Sequence, residues 1–279
     1  AMSRSLWTSS GNTVMGQPSY VNVGVEADID VQTREVTVHV EAYYTGNSPE
    51  STNLLNVALL QNNTLGPHTG GDMGDEYVHM HRLVYLITGQ WGVSISPTTT
   101  GTFIDETYTY TIPADYNDVP AMIEDMEIVA FLTETQEEIP TGSGCFPTYS
   151  NFVYDNDAYL RYFEEIEGQC GFDFSPSVSV QNLGANDITS LTFEYSVNSG
   201  TPQNYVWNGT ITPMQYTLIE LPAISSYYIE SGTNTIEVSI NNDENNSNNS
   251  IVDTFESATS ATNTINMILN TDNAGSQCT

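Results

Sequence analysis

An alternation of apolar and polar residues is the clearest pattern near the start of the chain. In residues 21–29 every second side chain is apolar, and Glu26 lies among the polar positions between them. Residues 36–42 repeat the pattern after a polar turn at 32–34, with His39 at a polar position. Because successive side chains of a strand point to opposite faces, the pattern predicts a β-hairpin with one buried and one exposed face.

Further strand-like runs follow, and turns rich in Gly, Pro, Asn and Asp separate them. They comprise residues 54–60, 102–112 and 127–133. No convincing helical period occurs before residue 140. We therefore expect an antiparallel β-sandwich over residues 17–140.

Residues 141–172 break this alternation, and we expect them to link two domains. Within them, residues 155–167 carry aromatic and apolar side chains at helical spacing with acidic residues near the start, which predicts a short helix. Cys145 and Cys170 lie on either side, and we expect them to form a disulfide that fastens the linker. The odd number of cysteines and the lack of a C-x-x-C motif argue against a zinc framework.

Short strand-like runs resume after the linker. They comprise residues 178–180, 191–197, 205–207, 216–221, 235–240 and 265–269. Short strands at this density are typical of an immunoglobulin-like sandwich, which we expect over residues 173–279. The expected fold class is all-β, with two antiparallel β-sandwich domains of immunoglobulin-like or jelly-roll-like type joined by a short helical linker.

The charge of the chain restricts its partners. Its 279 residues include 35 Asp and Glu, four Arg and no Lys, so the formal net charge is −31. Nothing in it neutralises phosphates, which excludes nucleic acid and argues against an anionic membrane surface. No apolar run approaches the roughly 18 residues of a membrane span, so we expect no membrane insertion. An acidic, lysine-free surface is typical of secreted proteins, and we expect an extracellular or cell-surface location.

Several blocks of the sequence resemble a known family. In the first half they are Asn-Val-Ala-Leu-Leu-Gln at 56–61, Leu-Gly-Pro at 65–67, Tyr-Val-His-Met-His-Arg at 77–82, Thr-Gly-Gln-Trp-Gly at 88–92, Tyr-Thr-Tyr-Thr-Ile-Pro at 108–113 and Ile-Val-Ala-Phe at 128–131. These blocks resemble the twenty-eight-kilodalton outer-membrane protein family of Bacteroidetes. The second half is similar to the sandwich module that follows in such secreted proteins, and the matching pieces are Val-Gln-Asn-Leu-Gly at 180–184, Tyr-Val-Trp-Asn-Gly at 205–209 and Gly-Thr-Asn-Thr-Ile at 232–236.

The resemblance implies a surface or secreted protein, exported by a type IX-like route, with no established enzymatic activity. Members often begin with a thioredoxin-like domain, and they usually continue into a further β domain and a sorting tail. The sequence given contains neither, so we expect it to be a fragment of a longer protein.

His79 and His81 are the strongest candidates for metal chemistry. On a strand, residues i and i+2 point to the same face, so the two imidazoles would converge as they do in copper and zinc sites. The alternative is that both histidines hydrogen-bond to backbone in a packed strand and hold the sandwich together. The sequence favours packing, and copper or zinc at this pair stays open.

Two acidic loops are candidates for calcium. One contains Asp72, Asp75 and Glu76 and leads into the histidine block, and the other contains Asp243 and Glu244 followed by amide side chains. Carboxylate and amide oxygens within one short loop are the ligands that Ca²⁺ takes, although neither loop has the EF-hand pattern. The alternative is that both loops are solvated turns of an acidic protein.

The expected function is binding or adhesion at the cell surface. We found no Gly-x-Ser-x-Gly elbow, no His-Glu-x-x-His and no phosphate-binding loop, so we expect no enzyme. The expected role is a non-catalytic binding or adhesion module of a secreted bacterial protein, stabilised by calcium, whose partner is a host or cell-surface protein, a glycan or a second copy. Two alternatives stay open: a structural stalk or fibre subunit, and a copper- or zinc-handling protein.

Overall fold

The computed structural model describes residues 3–70, 74, 76–136, 138–164 and 173–257, apart from the side chain of Arg4. The chain divides into two compact units, Ala1–Asn151 and Phe152–Thr279, which we call unit 1 and unit 2. The described residues contain no helix that is both long and apolar enough to span a membrane.

Strands are the main regular structure in the described part of unit 1. Its helices are α1 (Trp7–Met15) and two short 3-10 helices, Arg4–Leu6 and Ile123–Asp125. Its strands are β1 (Val21–Asp30), β2 (Glu35–Tyr44), β3 (Asn53–Gln61), β4 (Thr64–Gly66), β5 (Tyr77–His79), β6 (Arg82–Leu86), β7 (Val93–Ile95), β8 (Phe103–Thr111), β9 (Asp115–Tyr116), β10 (Val119–Pro120), β11 (Met126–Thr133), β12 (Thr141–Cys145) and β13 (Thr148–Ser150). Helix α1 buries no side chain, which is why no apolar pattern predicted it.

Two sheets form the sandwich of unit 1. One has the strand order β13-β1-β2-β8, and the other has the order β12-β11-β3-β6 with β7 also paired to β3. All pairs are antiparallel except β1 with β13, which is parallel. Alternate residues of each sheet are buried, among them Val36, Val38 and Val40 in β2 and Ile128 and Ala130 in β11. This burial confirms the predicted hairpin and its two faces.

The predicted linker differs from the structure at its start. Residues 141–145 form β12, which pairs with β11, so they belong to the sandwich of unit 1. The glycines that suggested a flexible joint allow close packing instead, since a Cβ on Gly142 would lie 3.1 Å from the Cβ of Phe131. Strand β13 follows and completes the first sheet.

Unit 2 has the second sandwich. Its strands are β14 (Ala158–Phe163), β15 (Ser177–Asn182), β16 (Ile188–Val197), β17 (Gln203–Ile211), β18 (Tyr216–Glu220), β19 (Gly232–Ile240) and β20 (Ser250–Ser257), with a 3-10 helix at Ser226–Tyr228. They form the sheets β14-β15-β18 and β17-β16-β19-β20, all antiparallel. The predicted strand at 265–269 lies outside the described residues, and no sequence pattern predicted β20.

The predicted helix at 155–167 is wrong in its described part, because Ala158–Phe163 is a strand. A β-bulge explains the misleading pattern. The pairing with β15 shifts between Leu160 and Tyr162, so the side chains of Ala158, Leu160 and Phe163 are all buried. A spacing of two and then three residues imitates the spacing of a helix.

Candidate functional site

The two predicted metal-binding histidines do not share a strand. Strand β5 ends at His79, and His81 has a left-handed backbone with a φ of 54°. The Nδ1 of His81 lies 2.8 Å from Oε2 of Glu127, whereas the Nε2 of His79 donates to the carbonyl oxygen of Pro67 at 3.3 Å. The expectation that both histidines lie on one regular strand is therefore wrong, and the two rings have different partners. Copper or zinc at this pair stays a prediction.

The side chains around these histidines explain why β5 ends at His79 and the chain turns at His81. The backbone N–H of His81 donates to Oδ1 of Asn62, whose side chain is buried and also donates to Glu127 at 3.1 Å. The ring of His79 lies 4.9 Å from the ring of Tyr77, centroid to centroid. Both histidines thus hold loops around β5, which agrees with the packing alternative more closely than with a shared ion.

The first predicted calcium loop is only partly described. Asp72 and Asp75 lie outside the described residues, and the side chain of Glu76 is exposed just before β5. Calcium at this loop stays a prediction.

The carboxylates of the second predicted calcium loop accept hydrogen bonds from the protein. Oδ2 of Asp243 accepts from the N–H of Ala158 at 2.7 Å, and Glu244 accepts from the N–H of Asp155 and the amide of Asn156, each at 3.0 Å. The hydrogen bonds from Asn156 and from the Asp155 backbone lower the pKa of Glu244. The loop fastens the start of β14, and calcium there stays a prediction.

Cys145 is half-buried at the end of β12, and burial raises the pKa of its thiol. Its predicted partner Cys170 lies outside the described residues, so the disulfide stays a prediction. Cys145 also lines an open depression of about 380 Å³ on the outer face of the first sheet, together with Glu26, Asp28 and His39.

His39 forms a polar cluster that the sequence analysis did not propose. Its ring lies between two carboxylates: Nδ1 is 3.1 Å from Oε1 of Glu26, and Nε2 is 2.8 Å from Oδ1 of Asp105. The hydrogen bonds to Asp105 and then to Glu26 raise the pKa of His39. An ionised carboxylate only accepts hydrogen bonds, so the two contacts together favour the imidazolium form of His39, with a proton on each ring nitrogen.

Strand register builds this cluster. Glu26 on β1 lies opposite His39 on β2, and Glu41 on β2 lies opposite Asp105 on β8. Among the described residues, His39, Glu41 and Asp105 are the one group of three His, Cys, Asp or Glu whose ligand atoms all lie within 4.8 Å of one another. The hairpin alone indicates the pair Glu26–His39, but no local pattern indicates that β8 pairs with β2.

The Thr-Gly-Gln-Trp-Gly block at 88–92 combines residues that serve the fold with one that is exposed. Oγ1 of Thr88 accepts the N–H of Val57 at 2.9 Å. Gly92 has a φ of 73°, and a Cβ there would lie 2.5 Å from the carbonyl oxygen of Leu55. The side chain of Trp91, in contrast, is 53% exposed.

A small ribbon in the same unit also exposes apolar side chains. Leu65 on β4 lies directly opposite Val78 on β5, and the two side chains are 64% and 46% exposed. Both residues lie in sequence blocks that resemble the family, and no role was predicted for either. Apolar exposure of this kind is typical of contact surfaces.

A comparison with known protein families matches residues 2–141 to the family model described as outer membrane protein Omp28. No curated protein matches the chain.

Solved structures give distant likenesses. A domain of the outer membrane lipoprotein Omp28 from Porphyromonas gingivalis is 19% identical, with 48% of this chain and 92% of that one covered and a TM-score of 0.33. HBP35 of the same organism is 11% identical over 78% of this chain and 65% of that one, with a TM-score of 0.42. The CARDB domain of a Pyrococcus furiosus protein, solved in complex with di-metal ions, is 16% identical over 39% of this chain and 95% of that one, with a TM-score of 0.31. TM-scores at this level support no argument about function.

Proposed function

Because the chain belongs to the outer membrane protein Omp28 family, we propose that it is a non-catalytic binding module that contacts a protein partner at the cell surface. Membership confirms the family resemblance of the first half and gives the chain a cell-surface or outer-membrane location. The family description names a place and no reaction. Binding, adhesion and the absence of catalysis are the parts that we propose.

The exposure of Trp91 is the observation that carries this proposal. Its neighbours in the block, Thr88 and Gly92, make contacts that the fold requires, whereas more than half of the indole faces solvent. Tryptophan is enriched among the few residues that dominate protein–protein binding, because it buries a large apolar surface and still offers an N–H donor. The Leu65–Val78 pair adds apolar surface in the same unit.

The net charge of the chain restricts the class of partner that it can bind. At −31, long-range electrostatics favour a partner surface with a neutral or positive potential. We propose an extracellular protein with an apolar patch bordered by basic residues. A glycan stacked on the indole and a second copy of the chain are the outcomes against which this proposal is tested.

The test measures binding of the chain to a panel of purified extracellular-matrix proteins and to a glycan array, at about 0.15 M salt so that weak surface attraction is screened. We expect binding to at least one protein of the panel. Trp91→Ala should weaken it by about 2 kcal/mol, the usual loss at a dominant contact.

Trp7→Ala is the matched control, since Trp7 is 60% exposed in the same unit and should change the affinity little. Unchanged binding in Trp91→Ala, or binding to glycans alone, contradicts the proposal. Sedimentation at several protein concentrations tests the stalk or fibre alternative, which requires the chain to self-associate. In that case Trp91→Ala, or the double variant Leu65→Ser, Val78→Ser, should abolish the self-association.

A further inference from the structure

The outer face of the sheet β13-β1-β2-β8 carries a row of polar side chains with His39 at its centre. Strand register, rather than loop geometry, sets the positions of these side chains. The three strands involved are nine or ten residues long and continuously paired around His39. A site on paired strands is held more rigidly than a site on loops.

The three ligand groups of the cluster converge. The nearest ligand atoms of His39, Glu41 and Asp105 lie within 4.8 Å of one another, so one ion can reach all three after small side-chain rotations. The ring of His39 is 32% exposed, which leaves it accessible from solvent. Space is also available, because a Cβ on Gly24, opposite Glu41, would meet no atom within 4 Å, and the open depression beside it measures about 280 Å³.

Glu26 supplies a feature that a plain acidic patch lacks. It accepts from Nδ1–H of His39 on the side of the ring away from Asp105. Metal-binding histidines nearly always donate the N–H of their other ring nitrogen to a carboxylate or carbonyl, which fixes the tautomer and the ring orientation. Here that arrangement leaves the Nε2 atom of His39 directed toward Asp105. Nε2 is the atom that would bind the metal.

We propose that this cluster is a surface site for a divalent transition-metal ion of the zinc class. The ligands are Nε2 of His39 and one carboxylate oxygen each of Glu41 and Asp105, Glu26 positions the ring, and water completes the coordination. An imidazole ligand favours zinc and its neighbours in the periodic table over Ca²⁺ and Mg²⁺, which take oxygen ligands. The site is distinct from the His79–His81 pair that the sequence suggested.

Binding exchanges a proton for the ion. The imidazolium of His39 loses the proton on Nε2 to solvent when the metal binds there, and the Nδ1–H remains donated to Glu26. The groups that face the ring are Glu26 from β1, Glu41 from its own strand, and Asp105 with Thr107 from β8.

The experiment titrates the whole chain with Zn²⁺ in competition with a chromophoric chelator. It also records the nitrogen chemical shifts of the imidazoles by NMR. The chain has four histidines, so each ring is followed separately. We expect one tight Zn²⁺ per chain, and a metal-induced shift at Nε2 of His39 that precedes any change at the other rings.

His39→Gln should weaken Zn²⁺ binding at least tenfold, and Glu41→Gln and Asp105→Asn should weaken it by similar factors. Glu26→Leu should weaken it about tenfold, as loss of an orienting partner does. The matched control is the double variant His79→Gln, His81→Gln, in which the affinity should be unchanged. Far-UV circular dichroism verifies that each variant is folded.

Three results overturn the proposal. One is that the wild-type chain binds no Zn²⁺ at micromolar concentration. Another is that Zn²⁺ binding survives in His39→Gln but disappears in the His79, His81 double variant. The last is that Ca²⁺ displaces Zn²⁺ at equal concentration, which would identify the cluster as an unselective acidic surface.

Discussion

Unit 1 contains two histidine regions, one around His39 and one around His79 and His81. A reading of the sequence alone favours the second as a metal site, whereas the structure favours the first. His79 and His81 are close in sequence, and yet the strand ends at His79, His81 has a left-handed backbone, and each ring has its own partner. His39 has no ligand-like neighbour within a short motif except Glu41. It nevertheless has three carboxylates around it, because β1 and β8 pair with β2 on either side.

The difference shows that a short spacing indicates convergence only where the strand is regular. The i, i+2 argument for His79 and His81 assumed a strand that continues to His81, whereas β5 ends two residues earlier, at His79. Around His39 the same period-two geometry holds over ten residues, and the cluster depends on pairs that are 13 and 66 residues apart in sequence. The following experiments test this contrast, beginning with the largest expected effect.

Glycine substitutions should separate the irregular region from the regular one. Gly92→Ala should destabilise unit 1 by about 3 kcal/mol, because it adds a left-handed alanine and a clash with the carbonyl oxygen of Leu55. Gly24→Ala on the regular face should be neutral or stabilise by up to about 1 kcal/mol, since its Cβ meets nothing. Denaturant unfolding of both variants provides the measurement. Equal losses in the two would mean that the strained turn after β6 is not required.

The loop at Asp243 differs from the His39 cluster, because its carboxylates already accept hydrogen bonds from the protein backbone. Asp243→Ala should destabilise unit 2 by about 2 kcal/mol, because the N–H of Ala158 and that of Asn245 each lose a charged acceptor. Asp187→Ala, which removes an exposed carboxylate of the same unit, should change stability by less than about 0.5 kcal/mol. Thermal melts of each chain measure the difference.

The same melts test the predicted calcium. An ion that binds the folded chain better than the unfolded one raises the midpoint after removal by EDTA. If millimolar Ca²⁺ raises the midpoint of the wild type but not of Asp243→Ala, calcium at this loop is confirmed. If Ca²⁺ changes neither chain, the hydrogen bonds from residues 155–158 account for the role of Asp243 and Glu244.

The fold was predictable where alternation is regular and local. The hairpin of β1 and β2 lies where the period-two pattern predicted it, and β3, β8 and β11 lie where strand-like runs predicted strands. The errors arose where one residue breaks the period. The bulge between Leu160 and Tyr162 imitated a helix, and the glycines of β12 imitated a joint although they let the strand pack closely.

The candidate site was predictable only in part. The outward positions of Glu26 and His39 follow from the hairpin pattern, and their direct pairing follows from the turn that connects the strands. Asp105 was out of reach, because a strand pairing across 66 residues leaves no local signal in one sequence. The left-handed backbone of His81 was also hidden, since it depends on Asn62, a residue outside the motif.

Glycine at each histidine position tests the backbone difference directly. His39→Gly should destabilise unit 1 by roughly 1 to 2 kcal/mol, because glycine weakens the interior of a regular strand. His81→Gly should stay within about 1 kcal/mol of the wild type, since glycine relieves the left-handed strain and offsets the lost pair with Glu127. Chemical denaturation compares the two variants. A larger loss of stability in His81→Gly than in His39→Gly would mean that the left-handed backbone of His81 is not strained.

The smallest expected effect is the pH dependence that His39 adds to stability. Because Asp105 and Glu26 raise the pKa of His39 in the folded chain, the folded state holds this proton more tightly than the unfolded state. The resulting stabilisation is complete below the unfolded pKa of about 6.5 and disappears as pH rises through the higher folded value. The stability of wild type relative to His39→Gln should therefore decrease as pH rises above about 6.5, in metal-free buffer. Asp105→Asn should flatten this decrease, since it removes the larger cause of the raised pKa. A stability difference that grows with pH would mean that the carboxylates around His39 do not stabilise its protonated form. The His39 cluster would then have no electrostatic property that the His79–His81 region lacks.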